Sequence, residues 1–318
     1  MKVLVTGANG FVGRPLCASL VERGITLRSV VRDPSDPVAG TPLVVGDLGE
    51  VDWNNKLDGV DTIIHLAARV HIMSDSASNP ITEYRSVNVD ATVRLAEAAV
   101  RAGVRRFLYL SSIKVNGEKT LSQPFSVHDT PAPADPYSKS KWEAELALWQ
   151  IAESTGLEVV VIRPPLVYGP YIKANFMNLL RLLSKGLPLP LASVDNSRSM
   201  IYVGNLIDAI ICCVESANAA GNTFLVSDGE ALSTPALIRE LSRLLGIPSR
   251  VVHCPPSILK LVGRLSGKAN IVERLTESLV VDNSHVQDTL GWLPPYTVAQ
   301  GLMATVDWYR ADFLTVES

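Results

Sequence analysis

A tyrosine and a lysine four residues apart, Tyr137 and Lys141, form the spacing in this chain that is most suggestive of chemistry. Pro136 precedes the pair, and proline is favoured in the first turn of a helix, so a helix can begin beside the tyrosine. Residues four apart share one helix face, which brings the phenol close to the ammonium. A phenol has an ordinary pKa of about 10, and a nearby positive charge lowers it. The pair therefore predicts an acid–base centre in which Tyr137 exchanges a proton with a hydroxyl or a ketone.

A glycine-rich turn at the N-terminus predicts dinucleotide binding. Residues 2–6 form a β-branched run, Gly7, Gly10 and Gly13 follow at intervals of three, and a helical pattern begins near Phe11. Gly7 permits a tight turn, Gly10 lets the backbone approach a pyrophosphate, and Gly13 lets the helix pack closely on the strand. Free N–H groups at the start of the helix then favour an anion.

The spacing Gly-x-x-Gly-x-x-Gly in TGANGFVG resembles that of the short-chain dehydrogenase/reductase superfamily, in particular its extended branch, the NAD-dependent epimerase/dehydratase family. The resemblance covers essentially the whole chain, to the motif LGW at 290–292. It implies a bound nicotinamide dinucleotide that is used for redox chemistry on a sugar nucleotide. The cofactor contacts that it implies are the three glycines with Asn9, Phe11 and Val12, Asp47 and Leu48 at the adenine, Ala67 and Ala68 at the nicotinamide ribose, Pro164, and Tyr137 with Lys141.

The end of the second strand bears on the choice between NAD and NADP. An acidic residue there binds the ribose hydroxyls of NAD, whereas an arginine accommodates the 2′-phosphate of NADP. The sequence reads SVVRDP, with Arg32 at the expected acidic position and Asp33 one place later. A solvated arginine–aspartate loop pair is the alternative. The pattern favours NADP(H) over NAD.

Two further residues join the predicted catalytic group through the resemblance. The strand at 106–110 ends in a pair of serines, and counting back from VNG at 115–117 makes Ser112 the serine that hydrogen-bonds the reacting oxygen. Asn88, in SVNVDAT, matches a family asparagine that steadies the active-site backbone or relays protons. The predicted catalytic residues are thus Ser112, Tyr137, Lys141 and Asn88, and no metal site is predicted.

Substrate contacts are expected from the second half of the chain and from the segment after Ser112. Arg198, in RSMIYVGNLIDA, matches a family arginine that binds the nucleotide diphosphate, and a guanidinium fork suits that role. Arg274 is a candidate second phosphate ligand. Lys114 and Asn175 complete the predicted substrate-binding set together with Ser112. A surface salt bridge is the alternative for Arg198.

Departures from the family pattern bear on the reaction. Lys114 stands where a small residue or threonine is usual, VNG replaces VYG, and Leu166 replaces an asparagine. SSIKVNGE resembles enzymes that reduce a 4-keto group on UDP-linked N-acetylated 6-deoxysugars. The sequence therefore favours a UDP-sugar 4-ketoreductase, with a UDP-sugar 4-epimerase that retains NAD as the alternative. A non-catalytic dinucleotide sensor is a remote alternative, because the Tyr–Lys pair is kept.

The elements that must position these residues alternate between strand and helix. Strand patterns occupy 2–6, 26–31, 43–45, 61–66, 106–110 and 158–163, and helical patterns occupy 12–23, 88–102, 137–154, 175–185, 204–216, 234–246, 256–265 and 296–313. Near-continuous apolar strands separated by helices predict an α/β fold, a Rossmann-type doubly wound parallel sheet. We expect a dinucleotide-binding domain over 1–165, to which 196–228 may return, and a smaller α/β substrate region over 166–318.

Composition excludes several other classes. The chain has 318 residues, of which 47% are hydrophobic and 19% charged, with a formal net charge of −3 and no basic block, so nucleic acid is not an expected partner. Four scattered cysteines lack zinc-type spacing. No signal peptide or membrane-spanning run is expected. A cytoplasmic enzyme follows, and the apolar stripes of 88–102 and 137–154 predict a homodimer.

Overall fold

Parallel strands form the central sheet of the computed structural model, which describes residues 1–69 and 80–314. Its strands are β1 (Lys2–Thr6), β2 (Thr26–Val31), β3 (Thr41–Val44), β4 (Thr62–His65), β5 (Arg106–Leu110), β6 (Glu158–Arg163) and β9 (Asn222–Leu225). Their order is β3-β2-β1-β4-β5-β6-β9, so the direction of winding reverses between β1 and β4. Ligands of open α/β sheets bind at the carboxyl ends of the strands beside such a reversal.

Eleven α-helices lie in the described ranges. They are α1 (Gly13–Glu22), α2 (Pro80–Arg85), α3 (Ala91–Arg101), α4 (Pro136–Thr155), α5 (Ala174–Ser184), α6 (Val203–Glu215), α7 (Thr234–Leu245), α8 (Pro256–Leu265), α9 (Ala269–Thr276), α10 (Ser284–Leu290) and α11 (Val298–Tyr309). A π-helical turn, Ser86–Asp90, connects α2 to α3. A 3₁₀ turn, Ile113–Val115, follows β5.

The two faces of the sheet bury separate cores. Successive side chains of a strand point to opposite faces, so Val3 and Val5 pack under α1 and α6, while Leu4 packs on the side of α3 and α4. Leu16 and Leu20 of α1 are fully buried on the first side. The long apolar strands predicted from the sequence are explained by this burial on both faces.

A second, three-stranded sheet carries the C-terminal region. It contains β7 (Leu166–Tyr168), β8 (Arg198–Tyr202) and β10 (Ala231–Leu232) in the order β10-β8-β7, with β7 and β8 parallel. Helices α5, α7 and α11 surround a core of their own that includes Tyr168, Leu180 and Leu302.

The predicted fold class, an α/β Rossmann-type parallel sheet, is confirmed. Six of the predicted strands and eight helical patterns appear with ends shifted by a few residues. Between β8 and β10 the chain returns to the central sheet. There α6 packs on one face of the sheet, and β9 joins its edge by pairing with β6. The division at residue 165 stays a prediction. Within the described residues, no helix combines the length and apolar character that crossing a bilayer requires.

Candidate active site

The glycine turn after β1 is packed too closely for side chains. Gly7 has a φ of +68°, and a Cβ there would lie 2.9 Å from the backbone nitrogen of Ala67. A Cβ on Gly13 would lie 2.1 Å from the carbonyl oxygen of Gly7, so α1 can approach β1 only without it. Gly10 donates its N–H to that same oxygen at 2.9 Å. The turn therefore has the close backbone approach that dinucleotide binding requires.

The start of α1 fits a pyrophosphate. Val12 is the N-cap residue, and none of the described side chains caps the helix or places an acid in its first turn. The first N–H groups of a helix have no intrahelical partner, and together with the helix dipole they favour an anion. Asn9 and Phe11 lie in the turn itself. The Asn9 side-chain amide donates to Asp36 at 2.7 Å, which links the turn to the loop after β2.

The predicted adenine-side residues lie on the loops that follow β2 and β3. Arg32 directly follows β2 and is exposed. The Asp33 carboxylate accepts the backbone N–H and the hydroxyl of Ser35, at 2.8 and 2.7 Å, and these bonds lower its pKa. Asp47 is exposed and accepts the N–H of Gly49 at 2.8 Å, while Leu48 packs on the core.

The nicotinamide side is formed by the ends of β4 and β6. Ala67 follows β4 and donates its N–H to the Thr6 hydroxyl at 3.2 Å, with Ala68 next to it. Pro164 follows β6, and its carbonyl accepts the N–H of Ile113 at 3.0 Å. These contacts bring the predicted ribose-side residues to the same edge of the sheet as the glycine turn.

Helix α4 begins in a capping box that determines the position of Tyr137. Asp135 is the N-cap residue, and its carboxylate accepts the N–H of Ser138 at 2.7 Å while its own N–H donates to the Ser138 hydroxyl at 3.1 Å. Pro136 occupies the first helical position, where its missing N–H costs nothing. Tyr137 thus lies in the first turn of α4, where the box holds the backbone rigidly.

Tyr137 faces Ser112 and Tyr84. Burial raises the pKa of the Tyr137 phenol, the Asp135 carboxylate raises it further, and interaction with the Ser112 hydroxyl lowers it. The Tyr84 ring of α2 lies edge-on, with ring centroids 6.3 Å apart. The structure therefore brings Ser112 and Tyr137 together, and the phenol of the free protein is a weaker acid than an ordinary tyrosine.

Lys141 is 2% exposed and lies one helical turn after Tyr137 on α4. Its ammonium donates to the carbonyl of Leu110 at 2.7 Å and lies 4.4 Å from the centroid of the Tyr109 ring. Burial lowers the pKa of Lys141 to about 7, although the carboxylate of Glu145 opposes that shift. We expected this ammonium to lower the pKa of Tyr137. In the protein without cofactor, burial has the larger effect on both groups, and it raises the pKa of Tyr137 and lowers that of Lys141.

Asn88 connects three elements of the site. Its side chain accepts the N–H of Arg69 at 2.8 Å and donates to the carbonyl of Arg69 at 3.1 Å and to the Ser140 hydroxyl at 2.9 Å. Ser140 in turn donates to the carbonyl of Tyr137 at 2.7 Å. Asn88 is 1% exposed and lies in the π-helical turn. These contacts suit the backbone-steadying role, which stays a prediction.

His65, at the end of β4, is held neutral under the site. One ring nitrogen lies 2.6 Å from the hydroxyl of Thr6 and the other 2.9 Å from that of Thr92. Burial lowers the pKa of His65 to about 3, and the charge of Lys141 adds to the effect. His65 therefore adds no charge beside Lys141 near neutral pH.

A buried ion pair supports the far side of the site. The Arg163 guanidinium forms two hydrogen bonds with Glu145, at 3.0 and 2.5 Å, and a third with the side-chain oxygen of Asn116 at 2.9 Å. Ser111, the neighbour of Ser112, donates to the same carboxylate at 2.5 Å. Glu145 is fully buried and lies one turn beyond Lys141 on α4. The pair thus ties α4 to the ends of β5 and β6.

Lys114 forms ion pairs with two carboxylates. Its ammonium lies 2.6 Å from Asp135 and 2.9 Å from Glu118. Its backbone N–H donates to the Ser112 hydroxyl at 3.3 Å. The predicted substrate contact of Lys114 stays a prediction, and the structure gives this residue a clear second task, which is to neutralise the N-cap of α4.

Two of the predicted substrate-binding arginines interact through their charges. The charge of Arg274 on α9 lowers the pKa of Arg198, after the larger effect of burial, and the charge of Glu118 raises it. Arg198 opens β8 and donates to the carbonyl of Glu277 at 3.0 Å. The surface-salt-bridge alternative for Arg198 finds no support among the described residues. Asn175 lies apart from the pair, exposed in the first turn of α5.

Sequence reasoning missed Asp135, Glu118, Glu145 and Arg163. The Asp-Pro step before Tyr137 is an N-cap signal that could have identified Asp135. Glu145 stands eight residues after Tyr137, on the same face of α4. Nothing local in the sequence identifies Glu118 or Arg163, because their partners are distant along the chain.

Comparison with known proteins agrees with this geometry. Residues 3–227 match the model of the NAD dependent epimerase/dehydratase family. A UDP-glucose 4-epimerase of Vibrio cholerae is 45% identical over 308 residues, 96% of this chain and 94% of the relative. An N-acetyl-α-D-glucosaminyl-diphospho-ditrans,octacis-undecaprenol 4-epimerase of Escherichia coli O157:H7 is 28% identical over 96% of this chain and 95% of its own.

Solved structures extend the agreement to the whole fold. MoeE5, solved in complex with UDP-glucuronic acid and NAD, superposes with a TM-score of 0.81 at 26% identity, covering 98% of this chain and 100% of that one. The family resemblance inferred from the glycine turn and the Tyr–Lys pair is confirmed. The chain belongs to the NAD-dependent epimerase/dehydratase family, and it is an NAD-dependent sugar-nucleotide enzyme of the short-chain dehydrogenase/reductase superfamily.

Proposed function

We propose that this protein is a UDP-sugar 4-epimerase that retains NAD through its catalytic cycle. The observation that carries the proposal is the 45% identity to the Vibrio cholerae UDP-glucose 4-epimerase along nearly the full length of both chains. The site supplies the required groups, since Tyr137 interacts with Ser112 and the buried Lys141 lies one turn later on the same helix. The sequence alone favoured a 4-ketoreductase, which the comparisons do not confirm, and they favour its alternative.

The side chains divide the work at C4 of the sugar. Ser112 would hydrogen-bond the C4 oxygen, and Tyr137 would take the proton of the C4 hydroxyl and return it after the sugar has turned over. Bound NAD would supply the hydride acceptor and donor at C4. Lys141, whose pKa lies at about 7, would hold the nicotinamide ribose and lower the pKa of the phenol when it is charged.

Arg198 and Arg274 suit the diphosphate of the substrate. The charge of Arg274 lowers the pKa of Arg198, after the larger effect of burial, and a dianion between the two guanidinium groups would relieve this repulsion. Their fork geometry matches phosphate oxygens. Glu118, whose charge acts on Arg198 in the free protein, is already paired with Lys114 at 2.9 Å.

We propose NAD rather than NADP(H) as the cofactor, against the preference drawn from Arg32 alone. Arg32 is exposed, and two carboxylates, Asp33 and Asp36, follow it in the loop after β2. Asp36 already reaches the glycine turn through Asn9. A 2′-phosphate at Arg32 would meet this negative charge, whereas the ribose hydroxyls of NAD can donate to it.

The decisive experiment separates an epimerase from a ketoreductase. The purified protein is denatured, and the released cofactor is identified and counted. Fresh protein is then given UDP-glucose, UDP-galactose and their N-acetylated forms without added cofactor. We expect bound NAD and interconversion of C4 epimers. Steady oxidation of added NADPH or NADH in the presence of a UDP-4-keto-6-deoxysugar, with no epimer formed, would overturn the proposal in favour of the reductase.

Matched variants connect the activity to the site. Tyr137→Phe should lose interconversion while it keeps bound NAD, because only the phenolic oxygen is removed. Lys139→Met, an exposed change on the same helix, should retain both properties.

A lipid-linked diphosphate sugar is the second candidate substrate. The Escherichia coli relative named above carries such a substrate in its name, and it covers nearly the whole chain. A diphosphate is common to both candidates, so the Arg198–Arg274 pair does not distinguish them. Assays with a short polyprenyl diphosphate N-acetylglucosamine beside UDP-N-acetylglucosamine decide between the two.

We also propose that the protein is a homodimer through α3 and α4. Leu146 lies exposed on α4, on the apolar stripe that led to this prediction. Light scattering on the purified protein tests the mass, and Leu146→Glu should yield monomers if this face forms the interface.

A further inference from the structure

Helices α8 and α9 form a hairpin whose outer face is apolar. Ile258, Leu261, Val262 and Leu265 follow the helical spacing of three and four, so they share one face of α8. That face points outward, since Leu265 is 81% exposed and Leu261 is 57% exposed. Ile271 of α9 is also exposed. Amphipathic helices normally bury their apolar face, so α8 is inverted relative to this rule.

Close packing and a hydrogen bond hold the two helices of the hairpin together. A Cβ on Gly263 would lie 2.6 Å from a methyl group of Val272, so the missing side chain lets the two helices touch. Lys268 donates its N–H to the carbonyl of Gly263 at 2.7 Å and closes the turn. The apolar side chains therefore face outward because the inner face is already occupied by helix-to-helix packing.

Cations outnumber acids around this face. Residues 256–276, which span both helices, contain four lysines or arginines and one acid, Glu273, although the whole chain has a net charge of −3. Arg264 and Lys268 are exposed beside the apolar stripe. Lys260 is paired with Glu277 at 2.7 Å and points toward the body of the protein. An apolar stripe bordered by cations is the pattern of a helix that lies in the interface of an anionic membrane.

The hairpin also borders the site. Arg274 lies on α9, and Glu277 just beyond it receives Arg198 through its backbone carbonyl and Lys260 through its carboxylate. A surface docked through α8 would therefore lie beside Arg198 and Arg274.

We propose that the outer face of the α8–α9 hairpin docks the protein on an anionic phospholipid surface. A second copy of the chain fits this face less well, because a twofold interface would bring Arg264 and Lys268 together with the same cations of the partner, and the hairpin offers only Glu273 to pair them. A lipid surface accepts the apolar side chains among its acyl chains and the cations among its phosphates. Docking requires no substrate, so it stands whether or not the epimerase assignment holds.

Vesicle sedimentation of the full chain tests the proposal. Vesicles of phosphatidylcholine with about one third phosphatidylglycerol are compared with vesicles of phosphatidylcholine alone. We expect the protein to sediment with the anionic vesicles, to bind neutral vesicles at least about tenfold more weakly, and to lose binding as salt rises.

Paired variants separate the two contributions. Leu261→Ser with Leu265→Ser should lower vesicle affinity by about tenfold or more, and Arg264→Gln with Lys268→Gln should abolish the preference for anionic lipid. Leu182→Ser with Met303→Ser, exposed apolar changes on α5 and α11, should bind as the unmodified protein does. Turnover of a soluble UDP-sugar should stay unchanged in all of them.

Three outcomes would overturn the proposal. The first is an unmodified protein that stays in the supernatant at every lipid concentration. The second is binding of the hairpin variants to vesicles as strong as that of the control. The third is a change in the oligomeric mass of the Leu261/Leu265 variant in light scattering, which would assign the face to a second copy of the chain.

Discussion

Lys114 and Asp135 form an ion pair, 2.6 Å between Nζ and Oδ2, that joins the segment after Ser112 to the N-cap of the helix bearing Tyr137. The pair acts on the phenol through charge. The Asp135 carboxylate raises the pKa of Tyr137, and Lys114 lies on the other side of that carboxylate and lowers its pKa. Lys114 therefore offsets a charge that opposes ionisation of the catalytic phenol.

Replacing Lys114 should shift the pH dependence of turnover. In Lys114→Met the Asp135 carboxylate acts on Tyr137 without compensation, so the pKa of the phenol rises. The acidic limb of the pH profile of kcat should move upward by about one unit, with roughly tenfold lower turnover at neutral pH. The full pH profile is the measurement, with the exposed Lys139→Met as the control.

A second substitution shows whether the shift acts through Asp135. Lys114→Met combined with Asp135→Asn should return the acidic limb toward its original pH, since asparagine caps a helix about as well as aspartate but carries no charge. If the single Lys114→Met variant has the same profile as the unmodified enzyme, Lys114 has no electrostatic role at Tyr137.

The Glu145–Arg163 pair should dominate the stability of the site. Both side chains are almost fully buried, at 0% and 4% exposure, so Arg163→Met would leave an unpaired buried carboxylate. The free energy of unfolding should fall by about 3–5 kcal/mol. Urea denaturation measures it. Arg243→Met removes the exposed pair with Glu240 and should change stability by less than about 1 kcal/mol. Equal effects of the two substitutions would contradict the prediction.

The buried Lys141 should lower the free energy of unfolding near neutral pH. The unfolded chain protonates this lysine near 10.5, whereas the folded chain does so only near 7. Between these two pH values a proton binds the unfolded state in preference to the folded state. The free energy of unfolding therefore falls as the pH decreases from about 10.5 to about 7. Below pH 7 the destabilisation by Lys141 stays constant. Lys141→Met lacks this penalty but loses the hydrogen bond to Leu110.

The expected gain for Lys141→Met is on the order of 2 kcal/mol at pH 7, disappearing toward pH 10.5, together with loss of turnover. Urea denaturation across this pH range is the measurement. Lys139→Met should leave stability within about 0.5 kcal/mol. A Lys141→Met protein less stable than the unmodified one at pH 7 would show that the hydrogen bond outweighs desolvation.

Two glycines of the turn should separate folding from cofactor binding. A Cβ on Gly13 would overlap the carbonyl oxygen of Gly7 and the backbone of Ala8, so Gly13→Ala should displace α1 and lower both the melting temperature and the bound NAD. A Cβ on Gly10 would meet one atom, at 3.1 Å. Gly10→Ala should therefore fold normally and lose NAD, because its methyl group occupies the space of the pyrophosphate. Retention of NAD by Gly10→Ala would place the pyrophosphate elsewhere.

The sequence by itself determined the features that depend on near neighbours. The glycine spacing, the four-residue step from Tyr137 to Lys141 and the apolar strands are local patterns, because helix and strand periods act over a few residues. They were sufficient for the fold, the cofactor class and the family. They did not settle the reaction, since the pattern after Ser112 favoured the ketoreductase and whole-chain similarity favours the epimerase.

Only the tertiary structure decided the charges of the site. Asp135 pairs with Lys114, Arg163 pairs with Glu145, and Arg274 acts on Arg198 through its charge. The members of each pair are far apart along the sequence, so no local sequence pattern predicts them. The pKa of Lys141 likewise depends on burial beneath β5 and not on its four-residue distance from Tyr137. Coulomb energy and desolvation depend on distance in space and on exclusion of water, and both arise only when the chain has folded.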